Sequence, residues 1–254
     1  MRALIPCGGR GTRMRAIAGD GPKEMVPVAG TPAIDWVLRE CTESGLDEIL
    51  VVSAPGKEAL VEHLGQVPGV QTVIQREPRG LADAIRLGRD FAGAEPLAVA
   101  LPDNIFVGAR PALSQVIDAH RATGTNVVAI VEISARQAAR KGATAALDGV
   151  RDGSAYRISR ISDKGAKGAP SRYTAVGRFV FLSEALLAID RVEQSIPTGA
   201  ELDDVPLMQW LLANNALTGR VIEGQFLDIG LPSGYEEANA LLSHARSAPQ
   251  RPHE

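Results

Sequence analysis

Short apolar runs alternate along the chain with stretches whose apolar residues recur every three or four positions. Residues 3–5, 49–52, 70–74, 97–101 and 127–131 are brief and mostly aliphatic, the pattern of strands buried in a sheet. Between them lie helical patterns. Pro32 opens one whose apolar face is Ile34, Val37, Leu38 and Cys41, with Gly45 as its stop. Others cover 57–64, 81–91 with Leu81, Ala84, Ile85 and Gly88 on one face, and 111–122 with Leu113, Val116, Ile117 and His120. Strands and helices in alternation predict an α/β fold, a mostly parallel sheet with helices on both faces.

After residue 131 the pattern changes. Strands are expected over 144–146, 156–161 and 173–181, with a polar, glycine-rich loop over 162–171. Helices follow near 184–189 and 202–213, then a strand pair over 221–223 and 226–228, then a last helix near 235–244. No linker or internal repeat divides the chain, so one domain is expected over 1–246. It has halves 1–131 and 132–246, and 247–254 is expected to be a disordered tail.

Composition narrows the class. A net charge of −3 over 254 residues argues against nucleic acid or an anionic membrane as a partner held by bulk charge. Cys7 and Cys41 are too few for a disulfide framework and are expected as separate buried thiols. No apolar run reaches membrane-spanning length, and the N-terminus enters a strand without a signal-peptide pattern, so a cytoplasmic location is expected.

The chemistry concentrates where the first strand ends, in Gly8-Gly9-Arg10-Gly11-Thr12-Arg13. Glycines let backbone N–H groups approach an anion closely. Arg13 closes the loop, and Lys23 follows in Pro22-Lys23-Glu24-Met25. Two cations beside a phosphate cradle suit phosphoryl transfer. A P-loop requires Gly-Lys-Ser/Thr where this loop has Gly-Thr-Arg, and a dinucleotide fingerprint requires a third glycine where Met14 stands.

The paired motif, Gly-Gly-Arg-Gly-Thr-Arg-Met followed by Pro-Lys-Glu-Met-Val-Pro-Val, resembles that of the sugar-1-phosphate nucleotidyltransferases. The nearest group is the bacterial UTP–glucose-1-phosphate uridylyltransferases, with the glucose-1-phosphate thymidylyltransferases second. The resemblance extends in order from Ala3 to Ala238. It implies a Rossmann-like nucleotidyltransferase fold with a nucleotide-binding half and a smaller β-rich acceptor-binding part. It assigns Arg13 and Lys23 to the α-phosphate and departing pyrophosphate, and Gly8, Gly9, Gly11 and Thr12 to the triphosphate. Gln75 and Gly80 would read the pyrimidine edge of UTP or dTTP. Asp103, in Leu-Pro-Asp-Asn, and Asp228, in Asp-Ile-Gly, would hold Mg²⁺, which favours carboxylates together with phosphate oxygens. Gly142, Asp163, Lys164, Gly177 and Glu201 would meet the sugar phosphate, with Lys167 near enough to compete with Lys164. Family members often self-associate, so a homo-oligomer is expected.

The implied reaction is attack of a sugar-phosphate oxygen on the α-phosphorus of the triphosphate, with loss of pyrophosphate. That nucleophile is already anionic, so no general base is required. His63, His120, His244 and His253 all lie outside the motifs. The acceptor half departs most from the family pattern. Asp163 stands for a glutamate and Gly165 for a proline, and Asp203-Asp204 replaces a threonine–aspartate pair. A modified sugar or cyclitol phosphate is therefore an alternative acceptor. A purine triphosphate and a non-catalytic nucleotide-sugar-binding relative are the remaining alternatives.

Overall fold

A computed structural model describes residues 1–133, 145–150, 155–163 and 173–247. Four parallel strands form the first half of the sheet: β1 (Arg2–Pro6), β4 (Ile49–Ser53), β5 (Val70–Ile74) and β6 (Leu97–Ala100). A small hairpin, β2 (Pro27–Val28) and β3 (Thr31–Pro32), lies apart from it. The second half contributes β8 (Asn126–Glu132), β9 (Ala145–Val150), β10 (Ala155–Ile161), β11 (Tyr173–Phe181) and β12 (Leu217–Val221). All nine join one sheet in the order β5-β4-β1-β6-β11-β8-β12-β10-β9. β11 runs antiparallel between β6 and β8, so the two halves of the chain share one hydrogen-bonded ladder.

Alternation along each strand sends side chains to both faces. Ala3, Ile5 and Val51 pack with α2 (Ala33–Glu43), α3 (Glu58–Leu64) and α6 (Ala112–Thr123), through Ile34, Val37, Leu60 and Leu113. Leu4, Leu50 and Val52 face the opposite layer, formed by α4 (Leu81–Arg86), α7 (Ser183–Ser195) and α8 (Asp204–Ala213), through Ile85, Leu186 and Leu207. Burial on both sides explains why these strands are aliphatic along their whole length.

Three expectations need correction. The helix expected over 81–91 is two, α4 and α5 (Arg89–Ala92). Gly88, at the break, lies so close to the sheet that a Cβ there would collide with Leu4 and crowd Leu97. The helix expected from residue 202 begins at Asp204, because the Leu202 carbonyl caps α4 instead, accepting from Ala82 N at 2.9 Å. The expected pair over 221–223 and 226–228 does not pair with itself. β12 stays in the main sheet, while β13 (Gln225–Asp228) leaves it and pairs antiparallel with β7 (Asn104–Val107). Gly224, at φ 134°, makes that departure, in a region L-residues rarely adopt. A third apolar cluster then seats the terminal helix α9 (Pro232–Ser247) on this ribbon, through Ile105, Leu227, Ala238 and Leu242.

Candidate active site

A cavity of about 920 Å³ opens where the loops following β1, β5 and β6 meet. Ligands of open α/β sheets bind beyond the carboxyl ends of such strands. Gly8, Gly9, Gly11, Thr12 and Arg13 form one wall. Gly11 stands at φ 63° and starts the short 3₁₀ turn Thr12–Met14, which carries Arg13. Arg13 is exposed and has no ion-pair partner among the described residues, so its charge is available to an anion in the cavity. Arg10, exposed on the same wall, is a second such cation, inside the glycine motif but without a role implied by it.

Lys23 enters from the 3₁₀ turn Lys23–Met25. The neighbouring Glu24 is buried and accepts Lys57 Nζ at 2.9 Å on both carboxylate oxygens, and the same Nζ reaches the Cys7 carbonyl at 2.5 Å. This buried pair ties the Pro-Lys motif to the root of the glycine loop. Lys23 Nζ itself donates to Asp103 Oδ2 at 2.9 Å. Withdrawal from water alone would push the Asp103 carboxyl upward. The Lys23 charge, its hydrogen bond and the more distant charge of Arg13 outweigh that and hold it below the usual carboxylate range. Burial by itself would lower Lys23, but Asp103 and Glu24 outweigh burial and raise it. Both groups therefore carry charge at neutral pH.

The β7–β13 ribbon brings the two aspartates together. Asp228 is the register partner of Asn104, adjacent to Asp103. Both carboxylates close around Gly230, where a Cβ would stand 3.1 Å from Asp103 Oδ2 and 3.3 Å from Asp228 Oδ1. Among the described residues no cluster of three or more His, Cys, Asp and Glu is arranged for a metal. Two convergent carboxylates in the cavity lined by the glycine loop fit a hard cation that completes its shell with other oxygen ligands and water.

Asp103 is held by a clamp the motifs did not reveal. Arg178 is fully buried and forks onto Glu40 at 3.0 and 2.7 Å. It also donates to the carbonyls of Leu101 at 3.0 Å and Asn104 at 2.7 Å, on either side of Pro102-Asp103. Asn104 Nδ2 donates to Asp103 Oδ1 at 3.1 Å, and its Oδ1 accepts Gly177 N at 2.9 Å. The signal in the sequence was an arginine inside the otherwise uncharged strand 173–181.

Gln75 follows β5 and is buried. A Cβ on Gly8 would collide with its Oε1, so the glutamine occupies space that only a glycine leaves open. Its Nε2 donates to the Gly80 carbonyl at 3.2 Å and to Asp83 Oδ2 at 2.7 Å. Gly80, Gly177 and Glu201 line the same cavity. Asp163 does not; its Oδ1 accepts Gln209 Nε2 at 3.0 Å. Gly142, Lys164 and Lys167 lie outside the described residues.

Residues 2–244 match the family model described as nucleotidyl transferase. The chain belongs to the nucleotidyl transferase family. A protein of Bacillus subtilis (strain 168), provisionally named a UTP–glucose-1-phosphate uridylyltransferase, is 31% identical over 92% of this chain and 93% of its own length. A second protein of that organism, named UTP–glucose-1-phosphate uridylyltransferase, is 27% identical over 92% and 88%. A UDP-glucose pyrophosphorylase solved with UDP-glucose superposes with a TM-score of 0.86 at 22% identity, covering 96% of this chain and 99% of that one. A separate structure, a UTP-bound UGPase from Acinetobacter baumannii, gives 0.81 at 23% identity, covering 98% and 94%. These superpositions place the nucleotidyl transferase in a Rossmann-like fold, in agreement with the sequence expectation. No helix among the described residues of this nucleotidyl transferase is long and apolar enough to cross a membrane.

Proposed function

We infer that the protein transfers the nucleoside monophosphate of UTP or dTTP to a sugar 1-phosphate, releasing pyrophosphate. The convergence of Arg13, Lys23, Asp103 and Asp228 on one cavity carries this reading. A sugar-phosphate oxygen forms the new bond to the α-phosphorus as the bond to the bridging oxygen breaks and pyrophosphate leaves with that electron pair. The nucleophile is already anionic, and no histidine among the described residues lines the cavity, so positioning and charge neutralisation do the catalysis. Backbone amides of the 8–12 loop hold the triphosphate. Arg13 and Lys23 meet the negative charge that grows on the phosphoryl oxygens, and Asp103 keeps Lys23 oriented. Asp103 and Asp228 would hold Mg²⁺, which neutralises phosphate charge when bound. Free, buried Cys7 and Cys41 accord with a reducing, cytoplasmic setting.

The acceptor wall supports a second reading of the substrate. Glu201, Asp203 and Asp204 line the cavity, a run of carboxylates suited to accepting hydrogen bonds from a hydroxyl-rich ring such as a modified sugar or cyclitol phosphate. Pyrophosphate release is to be measured with Mg²⁺ across UTP, dTTP, CTP, ATP and GTP, each with glucose 1-phosphate, amino- and deoxy-sugar 1-phosphates and inositol phosphate. Release confined to an imide-bearing pyrimidine triphosphate plus one acceptor supports the reading. No release with any pair removes it.

A further inference from the structure

We propose that Asp83 is a specificity-positioning residue: by fixing the Gln75 amide with its carbonyl oxygen toward the cavity, it selects bases that present a ring N–H, as uracil and thymine do, and rejects cytosine. The proposal rests on the triphosphate reading above and adds to it the group that sets base selectivity.

An amide side chain can present either a donor or an acceptor to a ligand, and its neighbours decide which. Here the neighbours leave no choice. Both partners of the Gln75 NH₂ are obligate acceptors, the Asp83 carboxylate at 2.7 Å and the Gly80 carbonyl at 3.2 Å. A flipped amide would set its oxygen against two acceptors and lose both bonds. Asp83 is 5% exposed, and its other oxygen is engaged by Arg86, which also pairs with Glu193 at 2.6 Å. The carboxylate is thus fixed from the side away from Gln75. Its backbone is fixed too, since Asp83 N donates to the Leu202 carbonyl at 3.3 Å.

The consequence falls on Oε1. It accepts no hydrogen bond among the described residues, and it is not among the buried side-chain atoms sealed from solvent without a partner. It stands against Gly8, at the wall shared by the glycine loop and Gly80. A ring N–H of uracil or thymine can donate to it. The N3 of cytosine carries a lone pair and would face another, leaving two acceptors unpaired in a confined site, a mismatch worth roughly tenfold or more in affinity.

Calorimetric titration of the full chain with UTP and with CTP, both with Mg²⁺, tests this. The wild-type protein should prefer UTP by roughly tenfold or more. In Asp83→Asn, residue 83 can donate as well as accept, the amide is released from its bias, and the UTP-to-CTP ratio should fall about tenfold or more. Asp83→Ser, whose hydroxyl likewise does both, repeats the test should the asparagine variant not fold. Arg86→Gln removes the neighbouring ion pair while leaving Asp83 on Gln75, and should keep the wild-type ratio. An altered ratio in Arg86→Gln equal to that of Asp83→Asn would assign the effect to helix stability and overturn the proposal. So would a folded Asp83 variant as selective as wild type, which leaves the triphosphate reading intact. Wild-type protein that binds neither nucleotide defeats both.

Discussion

Replacing Arg178 by methionine removes a guanidinium that has no exposure and donates five hydrogen bonds, two to Glu40 and one each to the carbonyls of Leu101, Asn104 and Gly177. Methionine fills much of the space and donates nothing. Glu40 would be left with Leu113 N, at 2.8 Å, as its remaining partner in the network. Breaking a buried ion pair from one side costs about 3–5 kcal/mol, because the other charge stays buried. Of the carbonyls, Gly177 keeps Leu101 N at 2.8 Å, whereas Asn104 and Leu101 lose their strong donor and add about 1 kcal/mol or more. The expected loss is therefore about 4 kcal/mol or more, a large share of the roughly 5–15 kcal/mol that stabilises a domain. Arg178→Lys keeps the charge but loses the fork, and should cost about 2 kcal/mol. Adding Glu40→Leu to Arg178→Met should restore part of the loss, because the orphaned carboxylate is then gone. Urea unfolding followed by circular dichroism reads all three. Arg178→Met losing less than about 1 kcal/mol at an unchanged m-value would refute the clamp, as would a double variant additive in its parts.

Gly8→Ala should lower nucleotide affinity about tenfold or more while leaving the fold intact, because the new methyl displaces Gln75 Oε1; UTP titration checks it. The Lys23–Asp103 pair makes a signed pH prediction. Asp103 titrates lower in the folded chain than in the unfolded one, so its contribution is present above about pH 4 and is lost as pH falls through the folded value. Lys23 titrates higher when folded, so its share is present below about pH 10.4 and is lost as pH rises past the folded value. Asp103→Asn should flatten the acid limb of stability against pH, measured by denaturant midpoint. Burial pushes the Cys7 thiol well above its ordinary range and the Cys41 thiol up to about 12, so iodoacetamide should label neither at pH 8 until the chain unfolds; mass spectrometry reads the outcome.

The core layers and the glycine loop were legible in the sequence for a physical reason. Strands buried on both faces must be aliphatic throughout, and a backbone that approaches an anion requires glycine, so each leaves a local pattern. The β7–β13 pairing left none that could be read, although a strand over 226–228 was expected. Its strands lie far apart in the chain, each is four residues long, and what joins them is a departure at Gly224 that resembles an ordinary hairpin turn. Asp83 was hidden for a different reason. An acidic residue in the first turn of a helix already has a sufficient local explanation in the helix dipole, and only the fold shows it gripping Gln75. Arg10 and Asn104 stood inside quoted motifs without a role, and their places on the cavity wall and in the Asp103 turn come from packing that no motif encodes.

The reaction's dependence on charge at a single α-phosphate is most directly measured through Arg13, an exposed cation of the cavity wall. Steady-state pyrophosphate release by Arg13→Ala, with saturating UTP, sugar 1-phosphate and Mg²⁺, should fall in kcat by about 10²–10³, with folding unchanged. Turnover within about twofold of the wild-type protein would contradict the account.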